Sequence, residues 1–247
     1  MALPYHALKR LEPLMRGAKI LSLGYPDLMC SADEIEKLFG YKPTKFTDAH
    51  EWHKVKNPFP ETIELFEAIG AKATIVDFTA ERGIEKIADL NHPHDLGKFD
   101  LVIDPGTLEH CFNIGQAFLN AANAVRQGGN IFHISPMTML NHAFWSLNPT
   151  TFHDFYGQNG WTITELKVLP VAAPFVSSTE RFDMHTEYLI RCLARRDTNR
   201  PLRWPIQTKY LKKMASRHAA PSSSGFDIGN SSATATDGAR NRAHGFP

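Results

Sequence analysis

The chain has 247 residues, 43% of them hydrophobic and 21% charged, with a formal net charge of +1; that is the balance of one sizeable globular domain and gives no electrostatic case for a nucleic acid or an anionic membrane as partner. No apolar run has the length of a signal peptide or a membrane span. Cys30, Cys111 and Cys192 are too far apart for a disulfide framework or a zinc pattern, so a reducing cytoplasmic compartment is expected.

Short apolar runs alternate with helical patterns along most of the chain. Ala18–Leu23 is a run that stops at Gly24, the pattern of a buried parallel strand. Ser31–Phe39 follows as a helix, with Ser31 and Glu34 spaced for a capping box. Pro60–Ile69 carries Ile63, Leu65, Phe66 and Ile69 at helical spacing, with Pro60 suited to the first turn. The second strand, Ala73–Phe78, ends at an acid, Asp77, and Ile84–Leu90 reads as a short strand towards the sheet edge.

Phe99–Asp104 is followed by Pro105-Gly106. A helix over Ile114–Val125 then leads through Gly128-Gly129 into a strand at Asn130–Ser135. Phe152, Phe155 and Tyr156 have helical spacing, and Trp161–Leu169 and His185–Leu193 read as the last two strands. Alternating units of this kind predict a doubly wound α/β sheet of the Rossmann-like type, with the ligand crevice at the carboxyl ends of the strands.

Composition divides the chain further. Residues 1–197 read as the domain, 198–220 as a basic amphipathic segment, and 221–247, almost without large apolar residues, as a disordered tail. The first and second strands are about fifty residues apart, long for such a connection. Residues 40–60, rich in aromatics and histidines, form an insertion placed to act as a lid.

The unusual residues sit at the strand ends. An acid at Asp77 suits a sugar diol, because one carboxylate accepts two hydroxyl hydrogen bonds; its alternative role is to cap a helix. Asp89 suits an amino group on a flat heterocycle, or closes an ordinary turn. His110 has the neutral-range pKa of a general base, with capping of its own turn as the alternative. His142, beside Phe144 and Trp145, either lines a substrate pocket or packs the core. His50 and His53, with His92 and His94, lack a fixed acidic ligand, and no metal site is expected. Cys111 reads as an inert buried thiol.

The stretch FDLVIDPGTLEHCFNIGQAFLNAANAVRQGGNIFHISP resembles the middle of class I S-adenosylmethionine-dependent methyltransferases, and the resemblance extends from about Lys19 to Cys192. In "LGYPD", "DLN", "GTLEH" and the segment 141–160 it is similar to methyltransferase-like proteins that accompany cell-surface carbohydrate biosynthesis. The resemblance implies a seven-stranded, mostly parallel sheet with an antiparallel last strand, and S-adenosylmethionine as cofactor. It implies a small polar acceptor, such as a sugar or nucleotide-linked sugar hydroxyl. Ser22, Gly24 and Tyr25 would form the first cofactor loop. Asp77 and Phe78 would hold the ribose end, Asp89 and Leu90 the adenine, and Asp104 and Gly106 the methionine part. Glu109 and His110 would face the methyl-transfer side, with His110 or His142 taking the acceptor proton.

This chain departs from the family in that first loop. The family's acid-x-Gly-x-Gly-x-Gly is here Ser22-Leu23-Gly24-Tyr25-Pro26-Asp27, where Pro26 removes an amide donor. Ser22 stands where the family has its acid, and Asp27 is the available substitute. Two other readings follow from the loop. One is a non-catalytic binding module on the same fold. The other is a nicotinamide-dependent oxidoreductase, disfavoured because no Gly-x-Gly-x-x-Gly follows the first strand.

Overall fold

A computed structural model of the chain describes residues 2–47, 58–139, 142–170, 188–208 and 211. Met1–Gln207 forms one compact unit. A second unit, Thr208–Pro247, has only Thr208 and Leu211 among the described residues, so the expected tail lies outside them.

The elements run β1 (Ala2–Pro4), α1 (Tyr5–Met15), β2 (Lys19–Leu23), β3 (Asp27–Met29), α2 (Ala32–Phe39), β4 (Phe46–Thr47), β5 (Phe59–Pro60), α3 (Thr62–Ala68) and β6 (Lys72–Asp77). They continue with β7 (Lys86–Ile87), β8 (Phe99–Asp104), a 3-10 turn at Leu108–His110, α4 (Ile114–Ala124), β9 (Val125–Pro136), α5 (Pro149–Gln158), β10 (Thr162–Pro170) and β11 (Tyr188–Arg195). Seven strands form one sheet in the order β10-β11-β9-β8-β2-β6-β7. The pairs from β9 to β7 are parallel, and β11, the last strand in sequence, is antiparallel to both of its neighbours. This is the expected doubly wound α/β fold. The chain runs outward from β2 to β6 and β7 on one side and then crosses back to β8 and β9 on the other, which puts a topological switch point at the end of β2.

The pleat divides the apolar residues between two cores. Leu21, Val102 and Ile131 face α4 and α5, where they meet Phe118, Ala121, Phe152, Phe155 and Tyr156. Ile20, Leu101, Ile103 and Phe132 face the other way, towards Leu8 and Leu11 of α1, Ile35 of α2 and Phe66 of α3. The Ser31–Glu34 capping box is present: Ser31 Oγ accepts the Glu34 amide at 3.2 Å, and Glu34 accepts the Ser31 amide at 2.8 Å.

Several element boundaries differ from expectation. Pro60 belongs to β5, and α3 starts after Glu61, whose carboxylate accepts the Glu64 amide at 2.6 Å. The strand expected over Ile84–Leu90 shrinks to Lys86–Ile87, because only two residue pairs bond it to β6. Gly128-Gly129 lies inside β9 at an irregularity, where a Cβ on Gly129 would come within 2.9 Å of the Asp100 carbonyl of β8. β1 and α1 are new. β1 pairs with β3 beside the sheet, and α1 buries Ala7, Leu8, Leu11 and Met15 even though Pro13 interrupts its pattern. Of the insertion, only residues up to 47 and from 58 are described, as a β4–β5 pair; His50 and His53 lie outside. Residues 203–206 run along the end of α5, with Arg203 donating to Asn159 Oδ1 and Ile206 to Gln158 Oε1.

Candidate functional site

A cavity of about 700 Å³ opens at the carboxyl ends of β6, β8 and β9, beside the switch point and within the size range of small-molecule sites. Asp77, Phe78, Asp89, Leu90, Gly106, His110 and His142 line it, as does Glu109. Seven of the eleven expected site residues therefore share one cavity.

The cavity's far wall is set by hydrogen bonds that sequence reading did not supply. Asp77 closes β6 with its Oδ1 on the Phe78 amide at 2.6 Å, and the Phe78 ring is 70% exposed at the rim. Asp89 Oδ1 takes both the Asn91 amide (3.0 Å) and the Asn91 side-chain amide (2.7 Å), which holds its carboxyl below the ordinary range. Asn120, buried in α4, reaches back to donate to the Leu90 carbonyl at 3.0 Å and the His92 carbonyl at 2.8 Å, and it accepts the His94 amide. The expected turn at 89–91 is thus pinned by one helical asparagine.

The other wall follows β8. Gly106 has φ +93°, and a Cβ there would lie 3.1 Å from Glu109 Oε1; glycine leaves that space to the cavity. Asp104 does not line the cavity. Its Oδ1 accepts the Thr107 amide at 2.9 Å, capping the turn that carries Glu109 and His110, while its Oδ2 meets His133 Nδ1 at 2.7 Å. His133 Nε2 meets the Tyr156 hydroxyl at 2.6 Å, and Asp104, His133 and Tyr156 are all fully buried. Asp104 therefore holds the turn from behind, outside the cavity lining.

The first loop also departs from its expected role. Ser22 is buried, and its hydroxyl donates to the Gly24 carbonyl at 2.7 Å. Gly24 has φ +83° and gives its amide to the Val76 carbonyl at 2.6 Å. Tyr25 turns away to hydrogen-bond Glu61, with the Arg82 guanidinium 3.5 Å above its ring. Asp27, the expected substitute acid, pairs with Arg82 at 2.8 Å. None of Ser22, Gly24, Tyr25 and Asp27 lines the cavity. Ala2 and Pro4 of β1 line it instead, because β1 has paired with β3.

At the third edge a chain turn brings His142 to Glu109 and His110. Trp145 donates its backbone amide to the Glu109 carbonyl and its indole N–H to the Cys111 carbonyl at 3.1 Å, which locks the two turns together. The rings of His110 and His142 are 5.2 Å apart, and His142 Nε2 is 3.9 Å from Glu109 Oε1. Burial lowers both imidazoles, His142 to about 4 with the neighbouring His110 adding to the effect. His142, with the larger shift, is the weaker base of the two. Burial, with Asp104 nearby, pushes the Glu109 carboxyl well up. Phe112 and Phe144 stand edge to face at 5.4 Å outside this cluster, both largely exposed.

No family model and no curated protein matches the chain. Among solved structures it is similar to TehB from Haemophilus influenzae, at 11% identity and a TM-score of 0.49 over 77% of this chain and 62% of that one. The chain thus spans less than two thirds of TehB. It is also similar to Burkholderia thailandensis 1,6-didemethyltoxoflavin-N1-methyltransferase with bound S-adenosylhomocysteine, at 15% identity and a TM-score of 0.45 over 78% of each chain. A third is the N-methyltransferase NodS from Bradyrhizobium japonicum, at 13% identity and a TM-score of 0.43 over 78% of this chain and 94% of that one.

Proposed function

We propose that the protein is an S-adenosylmethionine-dependent methyltransferase acting on a small polar acceptor. The observation that carries the reading is the convergence of Asp77, Phe78, Asp89, Leu90 and Gly106 with Glu109, His110 and His142 on one cavity at the sheet's switch point. These residues fit the cofactor. Asp77 would accept the ribose hydroxyls, the exposed Phe78 ring and Leu90 would flank the adenine, and Gly106 would leave room for the methionine part. When bound, the cofactor supplies a methyl group on a sulfonium, a leaving group that needs little further activation.

The protein's contribution is then positional. His110, which lines the cavity beside Glu109 and His142, holds or takes the acceptor's proton. A sugar hydroxyl is the acceptor class that the likeness to proteins of carbohydrate clusters supports. A second reading, a non-catalytic binding module, is favoured by the first loop: Ser22 replaces an acid, and Asp27 is committed to Arg82.

Calorimetric titration with S-adenosylhomocysteine separates the two. The methyltransferase reading expects micromolar binding that Asp77→Ala removes while the circular dichroism spectrum is unchanged. Binding that survives Asp77→Ala would refute the assigned ribose contact, and no binding at all would favour the module.

A further inference from the structure

We infer that Glu109, His110 and His142 form a binding site for a divalent transition-metal ion. One oxygen or nitrogen from each lies within 4.8 Å of those of the other two. The three residues come from two separate turns, the Leu108–His110 turn and the chain around 142, which Trp145 ties to one another.

An independent observation concerns the carboxylate. Glu109 is only 1% exposed, and its Oε2 is buried with no hydrogen-bond partner. Among the described residues its one ion-pair contact is His142, at 3.9 Å. A buried carboxyl oxygen without a hydrogen-bond partner is costly, and among the described residues neither a lysine nor an arginine pairs with this one. The cavity side of Glu109 is also the side that Gly106 leaves open. A cation held there would satisfy the orphaned oxygen.

The donor chemistry selects the ion. Two imidazoles and one carboxylate suit zinc, cobalt, manganese or iron(II), and not magnesium or calcium, which prefer oxygen. Bonds of about 2.0–2.2 Å need the donors to draw together by roughly an ångström. His142, 27% exposed at its side chain, has room to make that move. Three protein ligands leave further positions open to an acceptor oxygen, whose pKa the metal would lower. That last role rests on the methyl-transfer reading; the binding of the metal does not.

The test uses the full-length protein, stripped with a chelator and titrated with Co2+ while its visible absorption is followed. One equivalent should bind with d–d bands of nitrogen–oxygen coordination and be displaced by Zn2+. Glu109→Gln and His142→Ala should each weaken binding at least about tenfold. His153→Ala, on the exposed face of α5, should change nothing. Thermal melts of each variant verify folding, and if Glu109→Gln does not fold, His142→Ala and His110→Ala decide. Added Co2+ should also raise the melting temperature of the native protein but not of His142→Ala. Absence of the bands, or bands that survive all three site variants, would overturn the site. Because S-adenosylhomocysteine binding is read on the same samples without metal, failure here is distinct from failure of the cofactor assignment.

Discussion

His133 Nδ1 lies 2.7 Å from Asp104 Oδ2, and neither side chain has any exposure. The pair connects the sheet interior to the Leu108–His110 turn. Asp104 uses its other oxygen to cap Thr107 and Leu108, and His133 is held in turn by Tyr156 of α5. A polar chain through the core thus fixes where Glu109 and His110 point.

Removing its middle member should be expensive. His133→Phe leaves Asp104 buried without its partner, and the expected loss is about 3–5 kcal/mol of stability. Urea unfolding of the variant checks this. A loss below about 1 kcal/mol would show that the chain of hydrogen bonds contributes little.

Asn120 gives a second handle, one that separates position from chemistry. Asn120→Leu keeps a similar volume but frees the Leu90 and His92 carbonyls. We expect a stability loss of about 1–3 kcal/mol and cofactor affinity weaker by about tenfold, since the cavity wall at Leu90, proposed to hold the adenine, is then unpinned. Unchanged affinity in folded protein would remove Leu90 from the proposed cofactor site.

Glu64 ties the near end of the insertion to α3. Its carboxylate accepts the Thr44 and Lys45 amides, at 3.1 and 2.9 Å, and the Thr44 hydroxyl. Burial alone would raise this carboxyl, but those hydrogen bonds outweigh it and hold it at about 2 against an ordinary 4.5. The unfolded chain therefore takes up the proton first. The stabilisation is fully present above pH 4.5 and is lost as the pH falls through about 2. Glu64→Gln should flatten that part of the stability–pH curve; an unaltered slope would contradict the assignment.

All three thiols should be inert in the native protein. Burial pushes Cys30, Cys111 and Cys192 up to about 12, so at pH 8 only about one in ten thousand of each is thiolate. Iodoacetamide should label none of them on the timescale of a free thiol and all three after unfolding, as read by mass spectrometry. Rapid native labelling of Cys111 would show a more open cavity than the structure has.

The sheet was legible in the sequence because each buried strand is a short apolar run closed by glycine, proline or an acid. Asp77 and Asp89 were picked out because they interrupt or follow such runs, and the GTLEH stretch through its resemblance to methyltransferases. The N-terminal elements were not, since Pro13 breaks the helical period and β1 has only three residues. The roles of Tyr25, Asp27 and Asp104 could not be read because they depend on partners 36, 55 and 29 residues away: Glu61 for Tyr25, Arg82 for Asp27 and His133 for Asp104. His133 did leave a trace, as the one histidine in the apolar strand NIFHIS. The meeting of His142 with Glu109 left none, because the Trp145 hydrogen bonds that produce it link turns with no shared periodicity.

Whether this cavity binds S-adenosylmethionine is read first by calorimetric titration with S-adenosylhomocysteine. A micromolar dissociation constant that disappears in Asp77→Ala with the fold retained is the expected result. No heat of binding from well-folded protein at ligand concentrations up to about a millimolar would contradict it.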